Sequence, residues 1–181
     1  GHTADAGDGV ACVATHPSDM AVALTALDAS VHVTGPGGDR VIAMPGLHRL
    51  PGGEPDRDTV LEPGELITAV QLPPPAAGRS VYRKVRERAS FAFALASAAA
   101  LLDVGGDGTI RNCQLALGGV AHVPWRAHAA ERALAGAPAT ASAFSAAADA
   151  ELARARPLPG NAYKVRLARN LIVAVLEEVS R

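Results

Sequence analysis

The sequence predicts an α+β protein in two parts: a short α/β part, followed by an antiparallel sheet with a layer of three helices. Strand-like segments joined by glycine-rich turns precede three segments of helical periodicity, an order typical of α+β proteins. A proline run at residues 73–75, continued to residue 78, interrupts the chain between the two parts. We therefore predict one domain over residues 1–75 and a second over residues 79–181.

The first part is predicted to contain one helix, at residues 18–27, and four strands. Pro17, Ser18 and Asp19 form a helix start, because they supply a fixed backbone angle, a capping oxygen and an early negative charge. Apolar residues then recur at helical spacing, at Met20, Ala23, Leu24 and Leu27. The strands are predicted at residues 12–14, 30–34, 40–44 and 65–72, with a hairpin turn at 35–39 and a loop at 45–63.

The second part is predicted to be a meander followed by three helices. Residues 81–88 and 109–117 have the alternation of strands. Residues 93–104 are ambiguous, because their alanine content favours a helix whereas the glycine-rich turn that follows favours a hairpin arm; we interpret them as a strand. The helices are predicted at residues 124–135, 140–154 and 161–180, and the last carries a wide apolar stripe.

A cationic segment lies where the two parts meet. Arg83, Lys84, Arg86 and Arg88 place four positive charges within six residues, opposed only by Glu87. Such a strand at a domain junction suits an anionic ligand held between the domains. The charge pattern alone favours the other interpretation, a solvated strand face.

Composition excludes several functional classes. A net charge of −1 over 181 residues argues against a general attraction to nucleic acid or anionic membranes. No apolar run reaches the ~18 residues of a membrane span, and no signal peptide is visible, so the sequence predicts a cytoplasmic protein. Cys12 and Cys113 are predicted to be reduced, buried thiols. The six histidines have no metal-binding spacing, so we predict no metal site.

Local motifs give no catalytic residue. His16, Ser18 and Asp19 lie close together, but after a proline this arrangement indicates a helix cap before it indicates a nucleophilic triad. The two glycine-rich segments have the character of hairpin turns rather than phosphate-binding loops. Cys113 lies in a strand pattern and is predicted to be a core residue.

Four blocks spread over the chain carry a family resemblance. They are residues 12–21 (CVATHPSDMA), 63–67 (PGELI), 82–94 (YRKVRERASFAFA) and 116–126 (ALGGVAHVPWR). In this order they resemble the FAD-binding subunit of molybdenum hydroxylases, the family of xanthine dehydrogenase, carbon monoxide dehydrogenase and aldehyde oxidoreductase. The sequence of these blocks is most similar to that of the flavin subunit of periplasmic bacterial aldehyde oxidoreductases. The resemblance therefore makes a periplasmic location the alternative to a cytoplasmic one.

The resemblance implies a flavoprotein that passes electrons from iron–sulfur clusters to an external acceptor. Its fold would be the remainder of the FAD-binding α/β subdomain followed by a domain like the C-terminal domain of the CO dehydrogenase flavoprotein. The implied partners are a molybdopterin-binding large subunit, a 2Fe-2S small subunit and an N-terminal FAD subdomain that this chain lacks. The chain would then be a fragment, a proteolysis product or one piece of a split polypeptide, inactive by itself.

The resemblance also transfers cofactor-binding residues by matching motif. They are Asp19, Ile67 or Thr68, and Lys84, with Thr15, His16 and Ser18 in the loop before the aspartate. Neither a catalytic residue nor a metal ligand is transferred. A flavin-free interaction or assembly module that keeps this fold is the alternative, because no glycine-rich loop for the FAD pyrophosphate is found. A hydrolase that uses His16 or Cys113 is a third interpretation, without a supporting motif.

Overall fold

The computed structural model describes residues 2–3 and 12–181. Within them the strands are β1 (His2–Thr3), β2 (Ser30–Gly35), β3 (Gly38–Ala43), β4 (Leu66–Gln71), β5 (Arg79–Val85), β6 (Ala96–Val104), β7 (Ile110–Gly118), β8 (Trp125–Arg126) and β9 (Ala155–Arg156). The helices are α1 (Asp19–Ala26), α2 (Met44–Leu47), α3 (His128–Leu134), α4 (Ala141–Leu152) and α5 (Tyr163–Val179). Among the helices of these residues, none combines the length and apolar composition needed to cross a membrane.

The strands form three antiparallel sheets, which confirms the predicted α+β class. A three-stranded sheet has the order β3-β2-β4, and a four-stranded sheet has the order β5-β6-β7-β8. The short strands β1 and β9 form the third sheet. The first large sheet ends at Gln71 and the second begins at Arg79, on either side of the proline run.

The three-stranded sheet has a small core on one face. Val31 and Val33 of β2 and Ile42 of β3 alternate inward, as period-2 strands require, and pack against Ala21 of α1 and Met44 of α2. The β2–β3 hairpin closes where Gly35 pairs with Gly38. Gly38 has a φ of 101°, a conformation that favours glycine in such a tight turn.

Both faces of the four-stranded sheet are covered by helices. Leu102 of β6 and Leu115 of β7 lie in the core shared with α3, α4 and α5. On the opposite face, Ala99 of β6 packs against Val22 and Ala26 of α1. This two-sided burial explains why residues 96–102 are all buried and why small alanines suit this strand. The interpretation of this ambiguous segment as a strand is therefore confirmed.

Helix α1 belongs to both cores. Ala21 faces the three-stranded sheet, whereas Val22 and Ala26 face the four-stranded sheet. The helix predicted at residues 18–27 is confirmed, with Ser18 as its N-cap. Because α1 packs on both sheets, its Val22 and Ala26 side forms an interface between the two parts of the chain.

Four predicted segments differ from the structure, and the first is the loop predicted at residues 45–63, whose start belongs to helix α2. Residues 12–14 form no strand, and Cys12 is only partly buried, unlike the buried Cys113. Strand β5 ends at Val85, where the amide of Leu95 donates to the Val85 carbonyl and closes a loop that contains Arg86 and Arg88. The helix predicted at residues 124–135 begins only at residue 128, because residues 125–126 pair with β7 as β8.

Candidate functional site

A pocket of ≈ 300 Å³ lies at the N-terminus of α1, beside the four-stranded sheet. Its walls come from the segment before α1, the first residue of that helix, and the loops at one end of β6 and β7. The lining residues are Thr15, His16, Pro17, Ser18, Asp19, Phe93, Ala94, Ser97 and Gly119. Four of the residues transferred by resemblance, Thr15, His16, Ser18 and Asp19, are therefore brought together here.

Local interactions hold the pocket wall before α1. The Ser18 hydroxyl accepts a hydrogen bond from the Ala21 amide at 3.1 Å, so this side chain serves as the helix cap. The His16 amide donates to the carbonyl of Ala121 at 2.8 Å, which fixes the segment to the loop after β7. Asp19 then stands at the first helical position, where negative charge is favoured.

Glycines at the end of β7 allow the close approach on the other wall. A Cβ on Gly118 would lie 2.4 Å from a Val22 methyl and 2.5 Å from the Ser97 hydroxyl. Gly119 has a φ of 69°, and a Cβ there would lie 2.8 Å from the Ala94 carbonyl oxygen. A side chain at Gly118 would therefore push β7 away from α1, and one at Gly119 would push it away from Ala94.

Asp19 joins α1 to β5 through two side-chain hydrogen bonds. The Tyr82 hydroxyl donates to Asp19 Oδ1 at 2.7 Å, and Lys84 Nζ lies 2.6 Å from Oδ2. Burial opposes ionisation of the Asp19 carboxyl, but the bonds from Lys84 and Tyr82 outweigh it and lower its pKa. Burial, reinforced by the bond to Asp19, raises the pKa of Tyr82, which stays protonated as a donor.

The register of β5 explains why Lys84, and not its neighbour Arg83, reaches this site. Lys84 pairs with Ser97, and paired residues in an antiparallel sheet share a face. Arg83 points to the other face, where it forms an ion pair with Glu178 of α5 at 2.5 Å. Lys84 is also the more buried cation, with 19% of its side chain exposed against 58% for Arg83.

Two buried polar atoms at the pocket lack a hydrogen-bond partner within residues 2–3 and 12–181: Ser97 Oγ and His16 Nε2. An unsatisfied buried group costs about 1–3 kcal/mol, so both atoms favour a polar ligand or water beside them. The His16 ring also lies 4.2 Å from the His48 ring in an edge-to-face contact. Burial lowers the pKa of both imidazoles, that of His48 to about 4, so both rings are neutral at neutral pH.

Ile67 and Thr68 lie away from this pocket, on β4 of the other sheet. The Thr68 hydroxyl donates to the His32 carbonyl at 3.3 Å, and the Ile67 side chain is exposed. Their transfer as flavin contacts stays a prediction. Lys84 belongs to the site through Asp19 rather than through the pocket lining.

The structure adds Tyr82, Phe93, Ser97 and Gly119 to the transferred residues. The place of Tyr82 near the site could have been predicted from the sequence, because the two-residue period of a strand puts it on the same face as Lys84. Ser97 carried no signal, since its position depends on the pairing of β5 with β6. Burial raises the pKa of the Cys113 thiol to about 12, so this residue stays protonated at neutral pH and is a poor nucleophile. This result argues against a hydrolase that uses Cys113.

A metal site is not found in the part of the chain that the structure describes, where no group of three or more His, Cys, Asp or Glu side chains converges. A larger groove, of ≈ 420 Å³, runs beside the proline run and is lined mostly by apolar residues and backbone. It contains none of the transferred residues.

Comparison with known proteins gives two family matches, which together cover most of the chain. Residues 8–75 match the FAD binding domain in molybdopterin dehydrogenase, and residues 80–179 match the CO dehydrogenase flavoprotein C-terminal domain. The chain belongs to the family of FAD-binding subunits of molybdenum hydroxylases. The resemblance seen in the sequence is thereby confirmed, and FAD is the cofactor of this family.

Individual relatives agree with this family. The chain is 47% identical over 169 residues to the aldehyde oxidoreductase FAD-binding subunit PaoB of Escherichia coli, a match that covers 93% of this chain and 50% of that subunit. It is 35% identical to the glyceraldehyde dehydrogenase medium chain of Sulfolobus acidocaldarius, over 64% of this chain and 38% of the relative. The chain therefore spans about half the length, or less, of these relatives.

Solved structures show the same fold. A carbon monoxide dehydrogenase from Hydrogenophaga pseudoflava superposes with a TM-score of 0.77 at 30% identity, over 89% of this chain and 58% of the other. Quinoline 2-oxidoreductase from Pseudomonas putida 86 superposes with a TM-score of 0.79 at 22% identity, over 92% of this chain and 57% of the other. The latter similarity concerns the fold alone.

The pocket fits part of an FAD molecule. Its volume of ≈ 300 Å³ lies at the lower end of ligand pockets, about 300–1,000 Å³. The partnerless Ser97 and His16 atoms offer hydrogen bonds to a polar ring edge or a ribityl hydroxyl. Phosphate groups would need backbone N–H donors at a glycine-rich loop, and the two glycine-rich segments of this sequence are hairpin turns instead.

Proposed function

We propose that this chain forms part of the FAD-binding subunit of a molybdenum-containing aldehyde or xanthine-type oxidoreductase. In this role it helps to hold the FAD that receives electrons from iron–sulfur clusters and delivers them to an external acceptor. The observation that carries the proposal is the Asp19–Tyr82–Lys84 cluster beside a pocket with two partnerless polar atoms, in a chain of this family.

In this proposal, the residues of this chain bind and orient the FAD and take no part in the redox reaction themselves. Lys84 and Asp19 form a balanced pair, which offers a cationic donor and an anionic acceptor without adding net charge to the site. Tyr82 holds the Asp19 carboxylate in place from β5. Gly119 lets the end of β7 lie close to the Ala94 carbonyl, and both residues line the pocket. FAD, when bound, supplies a redox centre that can take up and release electrons singly or in pairs.

The proposed partners are a molybdopterin-binding large subunit, a 2Fe-2S small subunit and the N-terminal FAD subdomain. The names of two relatives, an FAD-binding subunit and a medium chain, support a place within a complex of several chains. The substrate class, an aldehyde, is supported by the first of these relatives. Substrate chemistry at molybdenum would take place on another subunit.

Purification of the native complex through a tag on this chain tests the proposal. We expect FAD to co-purify, and its absorbance to bleach when an aldehyde is added without oxygen. A complex that assembles but contains no flavin would contradict the proposal and support the alternative, an assembly module that keeps the fold without the cofactor.

A further inference from the structure

Two histidines contact each other at the wall of the pocket, outside the Asp19–Tyr82–Lys84 cluster. The rings of His16 and His48 lie 4.2 Å apart, and His16 is the one that lines the pocket. In the part of the chain that the structure describes, His16 Nε2 and His48 Nδ1 are buried atoms without a hydrogen-bond partner. A ring nitrogen of a neutral imidazole can accept a proton, so this histidine pair is a candidate proton-binding site.

The histidine pair is held where three segments of the chain meet. His16 belongs to the segment before α1, and its amide donates to the Ala121 carbonyl in the loop after β7 at 2.8 Å. His48 follows α2 and forms an antiparallel bridge with Thr59. The loop after α2 therefore folds back on itself, and Asp58 comes close enough to act on both imidazoles. The pair is thus fixed by main-chain contacts.

The charges around the histidine pair permit one proton and oppose a second. Burial lowers the pKa of both rings, and the Asp58 carboxylate opposes this effect by raising it. A charge on His16 further lowers the pKa of His48. Besides Asp58, the elements packed against the pair carry three ion pairs and one further histidine, namely Asp19–Lys84, Arg49–Glu54, Arg57–Glu62 and His122. The pair is therefore neutral at neutral pH, and it can hold a single proton when negative charge arrives beside it.

Reduction of a bound FAD brings such a charge. Two electrons and one proton leave a negative charge on the flavin, and His16 lines the pocket of ≈ 300 Å³ that would hold part of this cofactor. A nearby opposite charge favours the protonated form of a histidine, and salt screens partly buried charges only weakly. We propose that His16 takes up one proton at Nε2 when the FAD in this pocket is reduced, and releases it when the FAD is reoxidised.

Two protons accompany the two electrons in this scheme. The iron–sulfur clusters supply the electrons, and solvent supplies one proton to the FAD and one to His16. When the acceptor takes the electrons, both protons return to solvent. His48 and Asp58 act through His16 and are positioning residues. The proton uptake rests on the proposed function and goes beyond it, because there the residues of this chain only bind and orient the FAD.

The reduction potential of the flavin in the native complex tests the proton uptake. Each proton taken up per two electrons makes the potential fall by about 30 mV per pH unit. Between about pH 6 and 7 we expect a slope of about 60 mV per pH unit in wild type and about 30 mV in His16→Phe. Phenylalanine keeps the aromatic contact with His48 but binds no proton. The control is His128→Phe, which removes a surface histidine whose side chain is 63% exposed and should keep the wild-type slope.

A second variant keeps the His16 ring and changes only the charge beside it. Asp58→Asn removes the carboxylate that raises the pKa of His16. We therefore expect the steep part of the potential to move to lower pH, so that the slope near neutral pH approaches that of His16→Phe. If these residues served only in packing, the two variants could change the FAD content but not the dependence of the potential on pH.

The resting state of the pair can be measured on this chain without FAD. Histidine ring resonances of the 181-residue chain, followed by NMR, should show that His16 titrates below pH 6.5, and at still lower pH in Asp58→Asn. A His16 that titrates at or above pH 6.5 would be protonated before reduction and would overturn the proposal.

The complex also separates this proposal from the proposed function. A complex that contains no flavin would contradict the proposed function and, with it, the proton uptake. A flavin-containing complex in which wild type and His16→Phe have the same slope would overturn the proton uptake alone.

Discussion

Single residues in this protein act through partners far away in sequence. Asp19 meets Lys84 across 65 positions, and Trp125 donates to Glu151 in the interior. Lys84 thus forms an ion pair with Asp19, whereas its neighbour Arg83 forms one with Glu178 on the opposite face of the sheet. This division allows a function of one cation to be tested against the other.

Lys84→Ala in the native complex should weaken FAD retention or lower the reduction potential of the flavin. Loss of one charge-assisted hydrogen bond between Lys84 and the oxidised flavin would cost about 1.5–3 kcal/mol, or roughly ten- to a hundred-fold in affinity. Flavin content after gel filtration and a redox titration measure the effect. Arg83→Ala, which removes only the exposed pair with Glu178, should change neither quantity. Unchanged flavin content and potential in Lys84→Ala would remove Lys84 from the site.

Glu151→Ala should lower the free energy of unfolding by about 3 kcal/mol, because it removes the buried carboxyl group that accepts hydrogen bonds from three donors and leaves those donors without a partner. These donors are the Trp125 indole at 2.8 Å, the Ala129 amide at 2.7 Å and the Ala130 amide at 2.9 Å. The two amides lie at the start of α3, which has no side-chain cap of its own. Denaturant unfolding measures the loss, and Glu87→Ala, in an exposed loop, should stay within about 0.5 kcal/mol of wild type.

At the scale of elements, an ion pair at the start of β4 adds to the pairing of this strand with β2. Glu65 precedes the strand and accepts two hydrogen bonds from Arg40 of β3, both at 2.7 Å. A further bond comes from the Glu62 amide at 2.7 Å. These contacts fasten the first residues of β4 to the hairpin on the far side of β2.

The stabilisation from Glu65 should disappear in acid. The bonds from Arg40, and then the one from the Glu62 amide, lower the pKa of the Glu65 carboxyl from 4.5 to about 2. A carboxyl whose folded pKa is depressed stabilises the fold above its ordinary pKa and loses that contribution as the pH falls to the folded pKa. The melting temperature of wild type should therefore exceed that of Glu65→Gln at pH 6. This difference should shrink between pH 4.5 and about 2, and a difference independent of pH would contradict the assignment.

At the scale of the whole molecule, Arg126 fastens the two sheets through α1. Its guanidinium donates to the Thr25 carbonyl at 2.7 Å and to Asp28 at 2.5 Å, next to the C-terminus of α1. The same side chain forms an ion pair with Glu131 of α3. The three contacts join the helix shared by both cores to the C-terminal domain.

Arg126→Ala should loosen α1 before it unfolds the rest of the protein. Removing the buried cation leaves Glu131 and the Thr25 carbonyl with fewer partners, so local opening of residues 19–26 costs less. We expect amide exchange in this helix to accelerate at least about ten-fold, with α5 unchanged. Arg169→Ala removes a comparable but more exposed pair with Asp149 and should leave α1 exchange as in wild type. Uniform acceleration over the whole chain would argue against a specific fastening role.

This chain alone should bind FAD weakly, with a Kd above about 1 μM, roughly −8 kcal/mol. The described pocket can take part of the cofactor, but the sequence offers no glycine-rich cradle for the pyrophosphate, whose burial without N–H donors is costly. Equilibrium dialysis of the 181-residue chain against FAD measures this. Submicromolar binding would show that half of the subunit is sufficient for the cofactor.

The amino-acid sequence by itself determined the elements whose signals are local. The start of α1 follows from Ser18 and Asp19, the β2–β3 hairpin from its glycine turn, and α5 from a stripe of apolar residues. Four sequence blocks were enough to identify the family. These features could be predicted because caps, turns and periodicity are set by residues a few positions apart.

Only the tertiary structure decided the rest. Residues 96–104 form a strand because helices cover both of its faces, although their alanine content also suits a helix. Trp125 belongs to β8 rather than to α3, since it pairs with β7 and donates to Glu151. The contact of Lys84 with Asp19, and the pocket itself, arise from strand register and from the packing of α1 between two sheets. Such contacts join residues that are distant along the chain, so no spacing in the sequence contains them.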